Sequence, residues 1–192
     1  MPGKGKLIVI SGPSGAGKTS ICKGVLARLP DSVWSVSVTT RPLRGAEADG
    51  ADYHFVSQAE FERMVAADEL LEHALYAGHW YGTPLRPVQQ ATAAGRHMVL
   101  EIDVQGGAQV KAKVEDAVLV FVLPPTMETL KARLEGRKTE SEAIQQRRLA
   151  QADGEIAFAR TAGVYRYFIT NDILEDSVQQ VLDIVRQEMQ RA

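Results

Sequence analysis

Gly12-Pro13-Ser14-Gly15-Ala16-Gly17-Lys18-Thr19 fills the pattern G-x-x-x-x-G-K-[ST], whose residue types suit the capture of a polyphosphate. Glycines at 12, 15 and 17 let the backbone bend until successive N–H groups point into one concave nest. The nest opens onto a helix start, where unpaired N–H groups and the dipole favour an anion. Lys18 has the reach to meet β- and γ-phosphates, and the Thr19 hydroxyl can ligate Mg2+. The plainer reading is a glycine turn with a surface lysine, but that reading does not require the flanking context. Lys6-Leu7-Ile8-Val9-Ile10-Ser11 reads as a buried strand before the loop. After it comes a helix with Ile21, Val25, Leu26 and Leu29 on one face and Pro30 at its end. Strand, glycine loop and helix together select nucleotide-phosphate binding.

A second group lies apart from the loop: Ser37, Arg41, Arg44, Tyr53, Glu72, Tyr81 and Thr83. Two arginines at i and i+3, with tyrosine hydroxyls nearby, suit a compact dianion such as a monoester phosphate. One carboxylate and two hydroxyls suit guanine, whose N1–H and N2–H2 both donate while O6 accepts. Adenine at that edge would leave buried groups unpaired. Surface arginines and tyrosines are common, so these residues by themselves leave the pairing open.

The elements that must carry these residues follow from pattern. Residues 32–40 read as a strand that runs into a polar loop at 41–50 rich in turn formers. A short strand at 53–56 precedes a capping box, Ser57-Gln58-Ala59-Glu60, and a short helix. Short strands at 70–76 and 79–81 complete a small insert placed at about 34–86. Residues 87–94 should be a helix stopped by Gly95, and 98–103 a buried strand delivering Glu101 and Asp103 to the sheet edge beside the phosphates. A further apolar run at 117–123 ends in Pro124-Pro125, and Thr126 caps a helix carrying Leu130 and Leu134. Residues 133–148 concentrate Arg133, Arg137, Lys138, Arg147 and Arg148 among glutamates. In an arbitrary protein that is a solvated helical face. Beside a phosphate loop it reads as an arginine-bearing lid over about 133–155. A last strand at 167–170 and an amphipathic helix at 173–189 close the chain. The expected fold is α/β: a P-loop, doubly wound, five-stranded parallel sheet formed by 1–33 and 87–192, with a small mixed or antiparallel insert and a helical lid.

Bulk properties exclude several classes. A net charge of −2 over 192 residues gives no polyanion-binding signature, so no nucleic-acid partner is expected. No run approaches the about 20 apolar residues of a membrane span, and residues 1–5 offer no signal peptide. The single cysteine, Cys22, cannot form an internal disulfide. It reads as a small packing residue, in keeping with a reducing cytoplasm. A homo-oligomer stays open.

Several segments, in order from about Lys6 to the C-terminal helix, resemble guanylate kinase. Besides residues 10–19 they are Ser35-Val36-Ser37-Val38-Thr39-Thr40-Arg41, Asp52-Tyr53-His54-Phe55-Val56 and Tyr81-Gly82-Thr83. Further along come Leu100-Glu101-Ile102-Asp103-Val104-Gln105-Gly106, Arg133-Leu134-Glu135-Gly136-Arg137 and Asn171-Asp172. The resemblance implies transfer of the γ-phosphoryl group of ATP to GMP with Mg2+. Position by position it implies that Gly12, Pro13, Ser14, Gly15, Ala16, Gly17, Lys18 and Thr19 hold ATP, with Thr19 on the metal. Arg41, Arg44, Tyr53 and Tyr81 would hold the GMP phosphate. Ser37, Glu72 and Thr83 would read guanine, with Asp103 on the nucleoside side. Arg137 and Arg148 would neutralise the transferred group beside Arg133, and Asn171 would lie near the adenine. Arg147 and Arg148 are adjacent; the following Leu149-Ala150-Gln151-Ala152 favours Arg148. The loop Arg41-Pro42-Leu43-Arg44-Gly45-Ala46-Glu47 keeps the family's arginine spacing and glutamate but displaces its proline and glycine. A kinase for another nucleoside monophosphate is the nearest rival, and Glu72 with Thr83 argues against it. A catalytically silent scaffold would typically lack the intact phosphate loop, and a signalling NTPase would have no use for a second nucleotide site.

Overall fold

The computed structural model describes residues 5–76, 78–136 and 142–191, with the backbone alone at 142–145. Strand β1 (Leu7–Ser11) is buried at every position, as a strand covered on both faces must be. On one side it pairs in parallel with β7 (His97–Glu101), and β2 (Ser32–Trp34) lies beyond. On the other it pairs with β8 (Val118–Leu123), followed by β9 (Tyr167–Thr170). The order β2-β7-β1-β8-β9 is the expected five-stranded parallel sheet, with β1 at its centre.

Alternate side chains of these strands feed opposite faces. Ile8, Ile10, Val99, Val120 and Val122 pack against α1 (Lys18–Arg28) and α7 (Leu174–Gln190) through Ile21, Val25, Val178 and Val181. Leu7, Val9, Leu100, Leu119 and Phe121 face α3 (Leu85–Ala93), α4 (Val104–Lys113) and α6 (Glu142–Thr161) through Val88, Val110 and Ala159. Helix α5 (Met127–Glu135) rests on α6 through Leu130, Leu134 and Ala152. Among the described residues no helix is long and apolar enough to cross a membrane.

The second sheet contains β3 (Val38–Thr39), β4 (His54–Phe55), β5 (Leu70–Tyr76) and β6 (His79–Pro84) in the order β4-β3-β6-β5. It is mixed: β3 runs parallel to β4 and antiparallel to β6. Its small core of Val38, Phe61 and Leu70 is closed by α2 (Gln58–Ala66).

Four features differ from the sequence reading. The strand expected over 32–40 is divided between the sheets. The Ser35 N–H makes a last bond to Val99 O at 3.0 Å, and Val38 then pairs with His54 and Gly82. The apolar alternation runs straight through because each sheet demands its own inward residue. The strand expected to end at Asp103 stops at Glu101, and Asp103 instead caps α4 by accepting from Gly106 N at 2.8 Å. Helix α4 itself, which begins Val104-Gln105-Gly106-Gly107, carries no sequence signal because paired glycines oppose helix formation. In the capping box, Ser57 accepts from Glu60 N, but the Glu60 carboxylate turns to Arg63 rather than back to the chain.

Candidate active site: two anion cradles on one cleft

The glycine loop links the C-terminal end of β1 to α1. Gly17, the residue before α1, sits at φ 93°, a conformation that disfavours any side chain. A Cβ there would also overlap the Asn171 amide. Asn171 is buried; its Nδ2 donates to Ala16 O at 2.7 Å, its Oδ1 accepts from Ser177 at 3.1 Å, and its carbonyl accepts from Arg133 at 3.0 Å. Asn171, expected beside adenine, thus braces the loop through Ala16, and Arg133, expected on ATP, holds the Asn171 backbone. Replacing Asn171 by Ala should lower unfolding stability by about 1–3 kcal/mol, because the Ala16 carbonyl loses a buried partner. Urea titration checks this; an unchanged midpoint would contradict the bracing role.

Lys18 curls over the loop, its Nζ donating to Gly12 O at 2.7 Å and Pro13 O at 3.1 Å. Burial pushes the ammonium pKa down, against the opposing pull of Glu101, Glu155 and Asp103. Thr19 Oγ1 donates to Glu101 Oε1 at 2.9 Å. A hydroxyl and a carboxylate side by side next to a phosphate nest form a hard-oxygen set. That set fits Mg2+, which takes few protein ligands and completes its shell with phosphate and water. Among the described residues no cluster of three or more His, Cys, Asp or Glu side chains forms a separate metal site.

The insert presents the opposite cradle. Arg41 is 6% exposed and forks onto Glu47, Nη2 to Oε1 at 2.7 Å and Nη1 to Oε2 at 2.9 Å. Nη1 also donates to Pro42 O at 2.8 Å. The guanidinium lies 5.4 Å from the centre of the Tyr53 ring and 5.7 Å from that of Phe55. Its hydrogen bonds with Glu47 raise its own pKa and hold the Glu47 carboxyl below its usual range. Tyr53 meets Tyr81 edge-on at 5.9 Å, and burial pushes the Tyr53 phenol up, keeping it a donor at neutral pH. Arg44 is exposed at the mouth, and its N–H donates to Glu47 Oε2 at 2.8 Å.

Glu72 is 4% exposed, and Thr83 Oγ1 donates to its Oε1 at 2.6 Å. Its Oε2 stands so close to Gly106 that a Cβ there would overlap it. Burial drives the Glu72 carboxyl up to about 7. Thr83, expected on the guanine edge, is fully buried, and its hydroxyl proton goes to Glu72, which aims the carboxylate.

Lys18, Thr19, Ser37, Arg41, Glu72 and Asp103 all line one cleft of about 460 Å3. Tyr53, Tyr81 and Arg44 also stand on its insert side. From α6, Arg148 Nη1 donates to Ser14 Oγ at 3.3 Å, whereas Arg147 is exposed. Arg137 lies outside the described residues. Tyr76 and Glu155 are among the cleft residues that the sequence reading did not assign to the site. Tyr76 was findable, since Glu72, Ala74 and Tyr76 follow the period of two on one face of β5. Glu155, half-buried on α6 with a pKa raised by burial, gives no such signal.

Passing a phosphoryl group between two nucleotides requires two anion cradles that share a cleft. A glycine nest after the central strand of a parallel sheet is how P-loop nucleotide kinases build the first, and this molecule is of that class. A sequence model of the guanylate kinase family matches residues 4–188. The chain is 45% identical over 189 residues to a guanylate kinase of Thermus thermophilus, covering 98% of this chain and 84% of that one. It is 46% identical over 188 residues to a guanylate kinase of Symbiobacterium thermophilum, covering 98% and 88%. A crystal structure of guanylate kinase from Anaplasma phagocytophilum superimposes with a TM-score of 0.78 at 31% identity, over 96% of this chain and 86% of that one. The chain belongs to the guanylate kinase family, the enzymes that phosphorylate GMP with ATP.

Proposed function

We propose that this chain passes the γ-phosphoryl group of ATP to GMP across the cleft, with ATP on the glycine nest and GMP on the insert. The observation that carries this reading is the shared cavity, into which Lys18 and Arg41 both face. The amides of residues 12–19 cradle the ATP phosphates, and Lys18 exchanges its bonds to Gly12 and Pro13 for phosphate oxygens. Arg148 adds charge from α6, with Arg133 and Asn171 holding the loop in shape. Thr19 and Glu101 would hold Mg2+, which would neutralise the β- and γ-oxygens. On the other side Arg41, Arg44, Tyr53 and Tyr81 bind the GMP phosphate. Glu47 and Pro42 use three of the five Arg41 N–H donors, and the rest, beside Tyr81, face the ligand side. Ser37, Glu72 and Thr83 read guanine, and Asp103 lies on the nucleoside side. The acceptor phosphate is already anionic at neutral pH, so the protein supplies alignment, charge and exclusion of water rather than a general base. Residues 34–86 form the GMP-side unit, closing towards a core of 1–33 and 87–192.

The test is a coupled assay for ADP formation with Mg2+, comparing GMP, AMP, UMP, CMP and no acceptor. ADP should appear with GMP and stay near background with the others. Comparable rates with AMP, or release independent of acceptor, would overturn the assignment.

Guanine binding needs an ionised Glu72, because N1–H and N2–H2 both donate. With the carboxyl at about 7, the KM for GMP should rise up to tenfold per unit as pH falls below that value. The KM for ATP should stay level. Steady-state kinetics from about pH 5.5 to about 8.5 should show this inflection in the native enzyme and its loss in Glu72→Gln. The second ionisation of the GMP phosphate, near pH 6, is common to both enzymes. For folding the same shift acts the other way. The folded chain holds this proton between 4.5 and about 7, so the Glu72 contribution to stability falls as pH rises through that window.

A further inference from the structure

Tyr76 is the last residue of β5, paired with His79 across the hairpin tip. It lies two pleats beyond Glu72 on the cleft face. Its ring meets Tyr81 edge-on at 6.4 Å, Tyr81 meets Tyr53 at 5.9 Å, and Arg41 lies 5.4 Å from the Tyr53 ring centre. Aromatic contacts thus run unbroken from the GMP-phosphate arginine to the hairpin tip. At that end Tyr76 shares the cleft wall with Ser14 of the glycine loop and Arg148 of α6. Burial raises the phenol pKa, and the nearby Arg148 charge opposes the rise. Ser14 Oγ accepts from Arg148 Nη1 at 3.3 Å. Insert, phosphate loop and α6 therefore meet at one end of the cleft. Neither the base-reading carboxylate nor the phosphate-binding arginines require Tyr76 for their own contacts.

We propose that Tyr76 is a positioning residue that couples the two nucleotide sites, its hydroxyl tying the insert to Ser14 and Arg148 in the closed cleft. The inference rests on the reading of the cleft as an ATP site facing a GMP site. GMP on the insert and ATP on the loop then each favour the arrangement that suits the other, and the coupling is reciprocal.

Calorimetry tests it with three titrations: GMP alone, a non-hydrolysable ATP analogue alone, and GMP with the analogue saturating. In the native protein the analogue should tighten GMP binding by at least about fivefold. Tyr76→Phe keeps the ring against Tyr81 and removes the hydroxyl. It should reduce that factor to about twofold or less while leaving each single-ligand Kd within about twofold. Adding Tyr76→Phe to a Ser14→Ala protein should change the coupling no further, since the two hydroxyls act as one contact. Full coupling retained in Tyr76→Phe, or an equal loss of GMP affinity with and without the analogue, would overturn the proposal. Failure of either nucleotide to bind the native protein would overturn the two-site reading, and this inference with it.

Discussion

Exchanging Lys18 for methionine should lower kcat by roughly 10³-fold while leaving the chain folded. The ammonium sits against the loop on two carbonyls, Gly12 O and Pro13 O, and burial already weakens its hold on a proton. A half-buried cation fixed on the cleft wall acts more strongly than one in open water on a phosphate brought beside it. Charge gathers on the γ-phosphoryl oxygens as the group leaves ADP, and a fixed cation there lowers the barrier without reorganising. Methionine matches lysine in length and helix propensity at the first turn of α1, so the backbone has little reason to move. The removed desolvation cost offsets the two lost hydrogen bonds. Steady-state kinetics with urea unfolding separates the effects. Turnover within tenfold of the native enzyme would remove Lys18 from the phosphate site.

Replacing Glu72 by Ala should lower kcat/KM for GMP by about 10³-fold or more, because a site built on hydrogen bonds discriminates by what it leaves unpaired. The carboxylate is almost wholly buried, aimed by Thr83 and backed by Gly106. It has no contact with the glycine loop, so binding of an ATP analogue should stay within about twofold. Loss of the Thr83 partner should cost stability by about 1–3 kcal/mol, which thermal unfolding would register separately. Equal losses for GMP and for the ATP analogue would contradict a base-reading role.

Much of this site was legible from spacing because its parts are local. A glycine loop needs its glycines within eight positions, and the strand and helix that present it are its immediate neighbours. The parallel sheet was legible for a similar reason: strands buried on both faces leave continuous apolar runs such as those at 7–10 and 118–123. What escaped was set by tertiary contact. Helix α4 forms in spite of Gly106 and Gly107, and it needs them. Glu72 packs on the first, and the Tyr165 hydroxyl crowds the second. The pairing of Thr83 with Glu72 is set by the β5–β6 register, which no local pattern announces. The passage from β2 to β3 is silent in the pattern, since Val33 and Val38 are both inward-facing but in different cores. The choice between Arg147 and Arg148 turns on one step of helix phase, which brings Arg148 to Ser14 and leaves Arg147 in solvent.

The most direct measurement is a titration with adenosine and guanosine joined through a phosphate chain long enough to span both cradles. If the glycine nest and the Arg41–Tyr53 cluster face each other, joining the halves makes the second contact intramolecular. Affinity should then exceed that of either nucleotide alone by about 10²-fold or more. Lys18→Met and Arg41→Ala should each remove most of the gain. Binding no tighter than that of the ATP analogue would mean that one ligand cannot reach both cradles, and direct transfer between them would be contradicted.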